Sequence, residues 1–412
     1  MKETKFKQTE IGMIPDDWEV KELGEIAFVT KLAGFEFTAH VKYSDQGTII
    51  ALRGLNVRQG YLELEDVKYI DNSNFSKLNR SKLFKDDLLF TYVGTVGNVA
   101  LVDKNDSYYL APNVALIRNM KQICSQYIMY LLLSTSFFNS QIKTLMSTTS
   151  QAALSMTNIR LFKIPLPPTL AEQQKIAKAL SDVDNVISTL EKLITKKKNL
   201  KQGTMQQLLT GKKRLPGFAP TVVEPVETTK FKQTEIGEIP EDWEVKELGE
   251  LCKSIASGKN KDKSSFGLYP VYGSTGVIGY TNKPSYNCDS ILVARVGANA
   301  GFVNKVCDKY DVSDNTLVIK EITLNINFLK EKLIYQQLNK MVFGSGQPLI
   351  TGGQLKSLLF AFPPIIAEQT AIANVLSSMD KEIEALEAKL RKYRNLKTGM
   401  MQQLLTGKIR LR

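Results

Sequence analysis

The chain repeats itself. Residues 5–25, KFKQTEIGMIPDDWEVKELGE, return almost unchanged as residues 230–250, KFKQTEIGEIPEDWEVKELGE. A second block behaves the same way: AEQQKIA at 171–177 and NLKQGTMQQLLTGK at 199–212 are matched by AEQTAIA at 367–373 and NLKTGMMQQLLTGK at 395–408. The order is opening block, variable segment, closing block, twice over, and only the variable segments differ in length and sequence. A solenoid would need several short units, so this long period implies two full domains, each followed by its own closing block. The boundaries that follow are 1–165 for the first domain, 166–211 for the first closing block, 230–361 for the second domain and 362–412 for the second closing block. Residues 212–229 between the halves, rich in Pro, Thr and Val toward their end, read as an extended linker.

The closing blocks have the marks of long helices. Each follows a double proline, LPP at 166–168 and FPP at 362–364, which ends the preceding segment. Thr169 and Glu172 form a T-x-x-E capping box in the first copy, and Ile365 stands at the corresponding place in the second. Apolar residues then recur at alternating spacings of four and three: Ile176, Leu180, Val183, Ile187, Leu190 and Ile194 in one block, Ile372, Leu376, Met379, Ile383, Leu386 and Leu390 in the other. That is the period of a coiled-coil seam. Gly211 and Gly407 suit the C-terminal caps. A helix of this length, about 57 Å at 1.5 Å per residue, cannot bury its stripe alone. The expected partner is the other copy, as an antiparallel pair; the plainer alternative has each stripe packed on its own domain.

Charge and composition remove many functions. Lys and Arg number 54 against 42 Asp and Glu, a formal charge of +12, which favours a polyanionic partner. A membrane is the weaker choice, because the start MKETKFKQTEIG is charged and the longest apolar run, IMYLLL at 128–133, is far short of a span. A cytoplasmic chain is expected. The four cysteines, Cys124, Cys252, Cys288 and Cys307, are scattered, without a C-x-x-C pair. His40 is the single histidine, so histidine-based metal sites and histidine-dependent nucleophiles are not expected.

The variable segments align only in patches. DLLFTYVGTVGNVALV at 87–102 resembles DSILVARVGANAGFVNKV at 289–306, a strand, a glycine turn and a second strand. PNVALIR at 112–118 resembles DNTLVIK at 314–320, which aligns Asn113 with Asn315, and SQAALSMTNIRLFKIPLPP at 150–168 resembles GQPLITGGQLKSLLFAFPP at 346–364, which aligns Gln151 with Gln347. With the helical stretches QYIMYLLLSTSFF and NFLKEKLIYQQLNKM, each variable domain is expected to be mixed α/β (α+β), with a β-rich core. Arg can grip guanine, and Asn or Gln adenine, through paired hydrogen bonds. Candidate DNA contacts are therefore Arg53, Asn56, Arg58, Tyr92, Thr95, Asn98, Asn113 and Gln151 in the first domain. In the second they are Lys259, Asn260, Lys261, Tyr272, Ser274, Thr275, Arg295, Asn299, Asn315 and Gln347.

No catalytic constellation emerges. Residues 343–346, FGSG, lack the preceding strand of an adenosylmethionine loop, and LPPT and FPPI lack the Asn and Tyr of an N-P-P-Y amine-holding motif. GKK at 211 follows a helix, where a phosphate loop would precede one. No pair of carboxylates is arranged as acid and base. No metal site and no cofactor of its own is expected.

The whole pattern resembles the specificity subunit of type I restriction-modification enzymes. The resemblance is carried by IGMIPDDWEVKELGE and its copy, by PLPPTLAEQQKIA and FPPIIAEQTAIA, by the two MQQLLTG helix ends, and by YPVYGSTGVIGY with ILVARVGANAG in the second domain. It implies two target recognition domains that each read half of a split double-stranded DNA site. It also implies helices that separate them and dock two methyltransferase subunits, with restriction and translocase subunits joining for cleavage. S-adenosylmethionine, ATP and Mg2+ would then be used by those partners. The first half has no sequence counterpart of YPVYGSTGVIGY, and ALRGLNVRQGYLELEDVKYI is expected to belong to a different subtype of recognition domain. A coiled-coil adaptor that does not bind DNA is the alternative.

Overall fold

The computed structural model describes residues 5–32, 34–119, 122–146, 152–218, 230–261, 264–341 and 349–411. Gln151, Gln347, the 343–346 loop and most of the expected linker lie outside the described residues. The chain divides into two compact units, residues 1–191 with 389–412, and residues 192–388. That division does not follow the boundaries expected from sequence, because it falls inside both long helices, α1 (Leu170–Leu209) and α2 (Ile366–Leu404).

In the first unit a four-stranded antiparallel sheet runs in the order Ala27–Lys31, Val114–Asn119, Leu88–Thr91, Val99–Leu101. Val114, Ala115, Leu116 and Ile117 are all fully buried, as expected of a central strand covered on both faces. One face meets the helix Ser125–Leu133 and the start of α1, in a core that includes Phe90, Tyr127, Phe162, Ile176 and Leu180. The other face covers a smaller three-stranded sheet in which Ile50–Leu52 runs parallel to Tyr108–Leu110 and antiparallel to Lys68–Tyr69.

The second unit repeats the plan. Its main sheet has the order Cys252–Ser257, Thr316–Ile322, Ser290–Ala294, Val303–Val306, and its second sheet places Tyr269–Gly273 parallel to Lys309–Val312. In both units the strand before the double proline pairs with the opening block, Lys163–Leu166 with Glu19–Glu22 and Leu359–Phe362 with Glu244–Glu247. The β-rich mixed architecture expected from sequence is present in each.

The two long helices meet within each unit, and the pairing is antiparallel. In the first unit Asp184 pairs with Lys397 and Glu191 with Arg394, so partners fall in number as positions rise. In the second unit Lys197 pairs with Glu382, Lys198 with Glu387 and Lys201 with Asp380. Leu190, Ile194, Ile383 and Leu390 are buried along this stripe, while Ile187, Met379 and Leu386 are half-buried. The alternative arrangement is also partly realised. Ile176 and Leu180, and likewise Ile372 and Leu376, lie in the main core of the domain itself. The reason is physical: the first turns of each helix pass over the domain's own buried helix, and one stripe serves both contacts.

The helix ends close each unit. Gly211 and Gly407 have positive φ (73° and 69°), and a Cβ on either would lie 2.4 Å from a proline ring, Pro240 or Pro15, and 3.2 Å from a tryptophan, Trp243 or Trp18. Glycine is required there twice over, by backbone and by space. Beside these caps Arg410 holds Glu172 and Asp17, and Arg214 holds Glu368 and Asp242. The capping box at Thr169 is therefore only half formed. The Thr169 hydroxyl accepts the Glu172 N–H at 3.2 Å, but the Glu172 carboxylate is taken by Arg410.

Candidate nucleic-acid interface

Each domain has a rim where three segments meet at one end of the sheets, and the backbone frame is the same in both. Leu52 accepts a hydrogen bond from Ala111 N–H, and Tyr272 accepts one from Ser313 N–H. Two residues further on, the carbonyls of Asn113 and Asn315 accept the N–H groups of Tyr92 (3.2 Å) and Arg295 (2.9 Å). The carbonyls of Tyr92 and Arg295 in turn accept from Leu154 and Ile350. Tyr92 and Arg295 are thus equivalent positions, and so are Arg53 and Gly273, each next after its strand pairing. The first half has no sequence counterpart of YPVYGSTGVIGY, yet in space Ile50–Leu52 occupies the place of Tyr269–Gly273, with the equivalent parallel neighbour. Sequence comparison missed this because the two segments share a position in the sheet but not side chains.

In the first domain the rim encloses a concavity of about 460 Å³ lined by Arg53, Arg58, Thr95, Asn98 and Asn113 among others, so five of the expected contacts converge. Arg58, Thr95 and Asn113 are exposed there, and Asn113 has φ +70°, a conformation asparagine tolerates better than most residues. Tyr92 is buried under the Lys31 ammonium, 5.4 Å from its ring centre.

Two of the expected readers have another task. Asn56 is fully buried, its amide nitrogen donating to the carbonyls of Glu63 (2.9 Å) and Asp66 (2.7 Å) while its oxygen accepts the Arg53 N–H. Asn98 is buried and donates to the Val57 carbonyl at 3.1 Å. Both are braces of the loop, their amides committed to backbone carbonyls. Asparagine is used for either purpose, and only burial, which depends on the whole fold, tells them apart.

In the second domain Ser274 Oγ and Arg295 N–H both donate to the Asn315 carbonyl, which brings Ser274, Arg295 and Asn315 together. Thr275, Asn299, Lys259 and Lys261 are exposed. Asn260 is a correction like Asn56, since its amide donates to Asp311 Oδ2 at 2.7 Å and Asp311 is buried. Tyr272 is half-buried, with its ring edge-on to Tyr310 at 5.9 Å, and burial raises the pKa of its hydroxyl.

A duplicated domain with a constant frame, a variable basic rim and helices shared between the copies defines a class: proteins that recognise two elements of a polyanion with two related readers. The family model described as "Type I restriction modification DNA specificity domain" matches residues 15–202 and 240–392. The chain belongs to that family of specificity subunits, the non-catalytic components of type I restriction-modification systems. A Methanocaldococcus jannaschii protein assigned as the MjaX type I restriction enzyme specificity subunit is 32% identical over 100% of this chain and 98% of its own length. The MjaVIII specificity subunit of the same organism is 28% identical over 100% and 97%. Among solved structures, the S subunit of a type I restriction-modification system from M. genitalium covers 97% of this chain and 98% of its own, with a TM-score of 0.64 at 15% identity, a likeness of fold. No helix among the described residues is long and apolar enough to cross a membrane.

Proposed function

We propose that this chain recognises a bipartite DNA target, one half-site per variable domain, and supplies sequence specificity to a complex whose chemistry resides in other subunits. The observation that carries the reading is the pair of equivalent rims. The frame around Asn113 and Asn315 is common to both, whereas the residues at equivalent positions differ, with Arg53 in the place of Gly273 and the buried Tyr92 in the place of Arg295. A constant scaffold with interchangeable readers is what two different half-sites require. Among the candidate contacts, the exposed lysines Lys259 and Lys261 suit phosphates, which fix position and give salt dependence, while Arg58, Arg295, Asn299 and Asn315 suit base edges.

The duplicated helices offer nearly identical faces twice, which favours two copies of one partner. In this reading that partner is a methyltransferase subunit using S-adenosylmethionine, joined for cleavage by restriction and translocase subunits using ATP and Mg2+. Mapping of methylated bases in cells that carry this chain and its partner tests the proposal. The expected result is one split motif with an unread gap; methylation without such a motif, in the presence of an active partner, overturns it.

A further inference from the structure

In the first domain the chain leaves the strand Ile50–Leu52 and makes an excursion before rejoining the sheet at Lys68. The excursion is stitched down. Val57 bridges Leu62, Gly60 N–H donates to the Val99 carbonyl at 2.8 Å, and Asn98 holds Val57 from the neighbouring hairpin. At its base stands a closed circuit of three side chains. Asn56 ties the Arg53 N–H to the Asp66 carbonyl, and Arg53 Nη2 donates both to that carbonyl (2.8 Å) and to Asp66 Oδ1 (2.9 Å).

The circuit uses Nη2 fully. Nη1 has no partner among the described residues, and Nε is buried without one, so the guanidinium is fixed while Nη1 retains two N–H donors, and Arg53 is among the residues that line the concavity. The Arg53 side chain is only 21% exposed, whereas that of Asp66 is 71% exposed. An exposed carboxylate at the rim of a DNA-facing surface repels phosphate, and an exposed ion pair contributes little stability. Orienting Arg53 accounts for its presence.

We propose that Asp66 and Asn56 are positioning residues that aim Nη1 of Arg53 at a guanine in the first half-site, where O6 and N7 lie side by side as acceptors in the major groove. This rests on the reading of the chain as a specificity subunit. It reassigns Asn56 from a reader to the support of one, and it adds Asp66, which sequence alone did not single out.

The test uses the full chain assembled with its methyltransferase partner. Methylation is mapped, and duplex binding is measured over a set of sites substituted one base pair at a time. Arg53→Ala should relax one base pair of the first half-site and leave the second half-site unchanged. Asp66→Ala, on the surface, should relax the same base pair, with discrimination falling about five- to tenfold. Asp66→Asn keeps an oxygen that can accept from Nη2 and should retain most of the discrimination. Wild-type discrimination in Asp66→Ala, or a loss spread evenly over all sequences, overturns the proposal, as does an unchanged first half-site in Arg53→Ala. In each of those cases a split motif still upholds the broader reading, and its absence sinks that reading instead.

Discussion

Arg410 and Glu172 lie 238 positions apart in sequence and meet as a two-pronged ion pair, with Nη2 2.8 Å from Oε2 and the Glu172 side chain 3% exposed. The same guanidinium reaches Asp17 in the opening block. The start of α1, the segment after α2 and the opening block of the chain are thereby fastened at one point.

Arg410→Ala leaves a buried carboxylate without its cation, a change that costs about 3–5 kcal/mol. Urea denaturation should show the first unit unfolding earlier, with the second unit unaffected. Pairing Arg410→Met with Glu172→Leu should recover much of the loss, because two apolar side chains need no charge partner. Equal stability of Arg410→Ala and the wild type would show that the pair contributes nothing.

Lys332 is buried in the helix Ile326–Tyr335, donates to the Leu209 carbonyl at 2.8 Å, and burial pulls its pKa down to about 7. Unfolded lysine titrates near 10.4, so between about 7 and 10.4 the unfolded chain binds the extra proton and stability rises with pH. The equivalent residue in the first domain is Leu131, since Cys124 and Asn325 are matched through their bonds to Gln173 and Gln369. Lys332→Leu should therefore flatten the rise in the second unit's urea midpoint between pH 7 and pH 9.5. An identical slope in both proteins would refute this.

Leu190 is buried in the helix stripe and Leu386 half-buried. Leu190→Lys should destabilise by about 2–4 kcal/mol, from lost burial and a strained charge, and Leu386→Lys by roughly half as much, because its longer chain can reach water. Thermal unfolding ranks the two. A larger effect at Leu386 would mean that the stripe packs differently.

Exchanging the variable segment of one half for that of the other should produce a symmetric methylation motif, and Arg295→Ala should alter only the half-site of the second domain. Methylation mapping decides both. Changes in both half-sites from Arg295→Ala would contradict independent readers.

Much of this organisation is legible in the sequence, because repeats and periods are local properties of a string. The duplication announces two domains, the alternation of four and three announces the stripe, and the glycine turns at 94–97 and 297–301 announce hairpins that form as Leu88–Thr91 with Val99–Leu101 and Ser290–Ala294 with Val303–Val306. What stayed hidden depends on long-range contact. Nothing near Glu172 shows that its carboxylate will serve Arg410 rather than its own helix cap. Asn56, Asn98 and Asn260 have the same chemistry as base-reading asparagines, and only the hydrogen bonds they make within the fold assign them to scaffolding. The spatial match of Arg53 with Gly273 was illegible because it is set by strand pairing between segments that share no motif.

The caps at Gly211 and Gly407 carry a consequence for synthesis. The second unit is one uninterrupted stretch, but the first is sealed against Pro15 and Trp18 by residues that follow the second unit in the chain. The half that leaves the ribosome first must wait, with its tryptophan uncovered, until the whole second unit has been made, so the order of completion reverses the order of emergence.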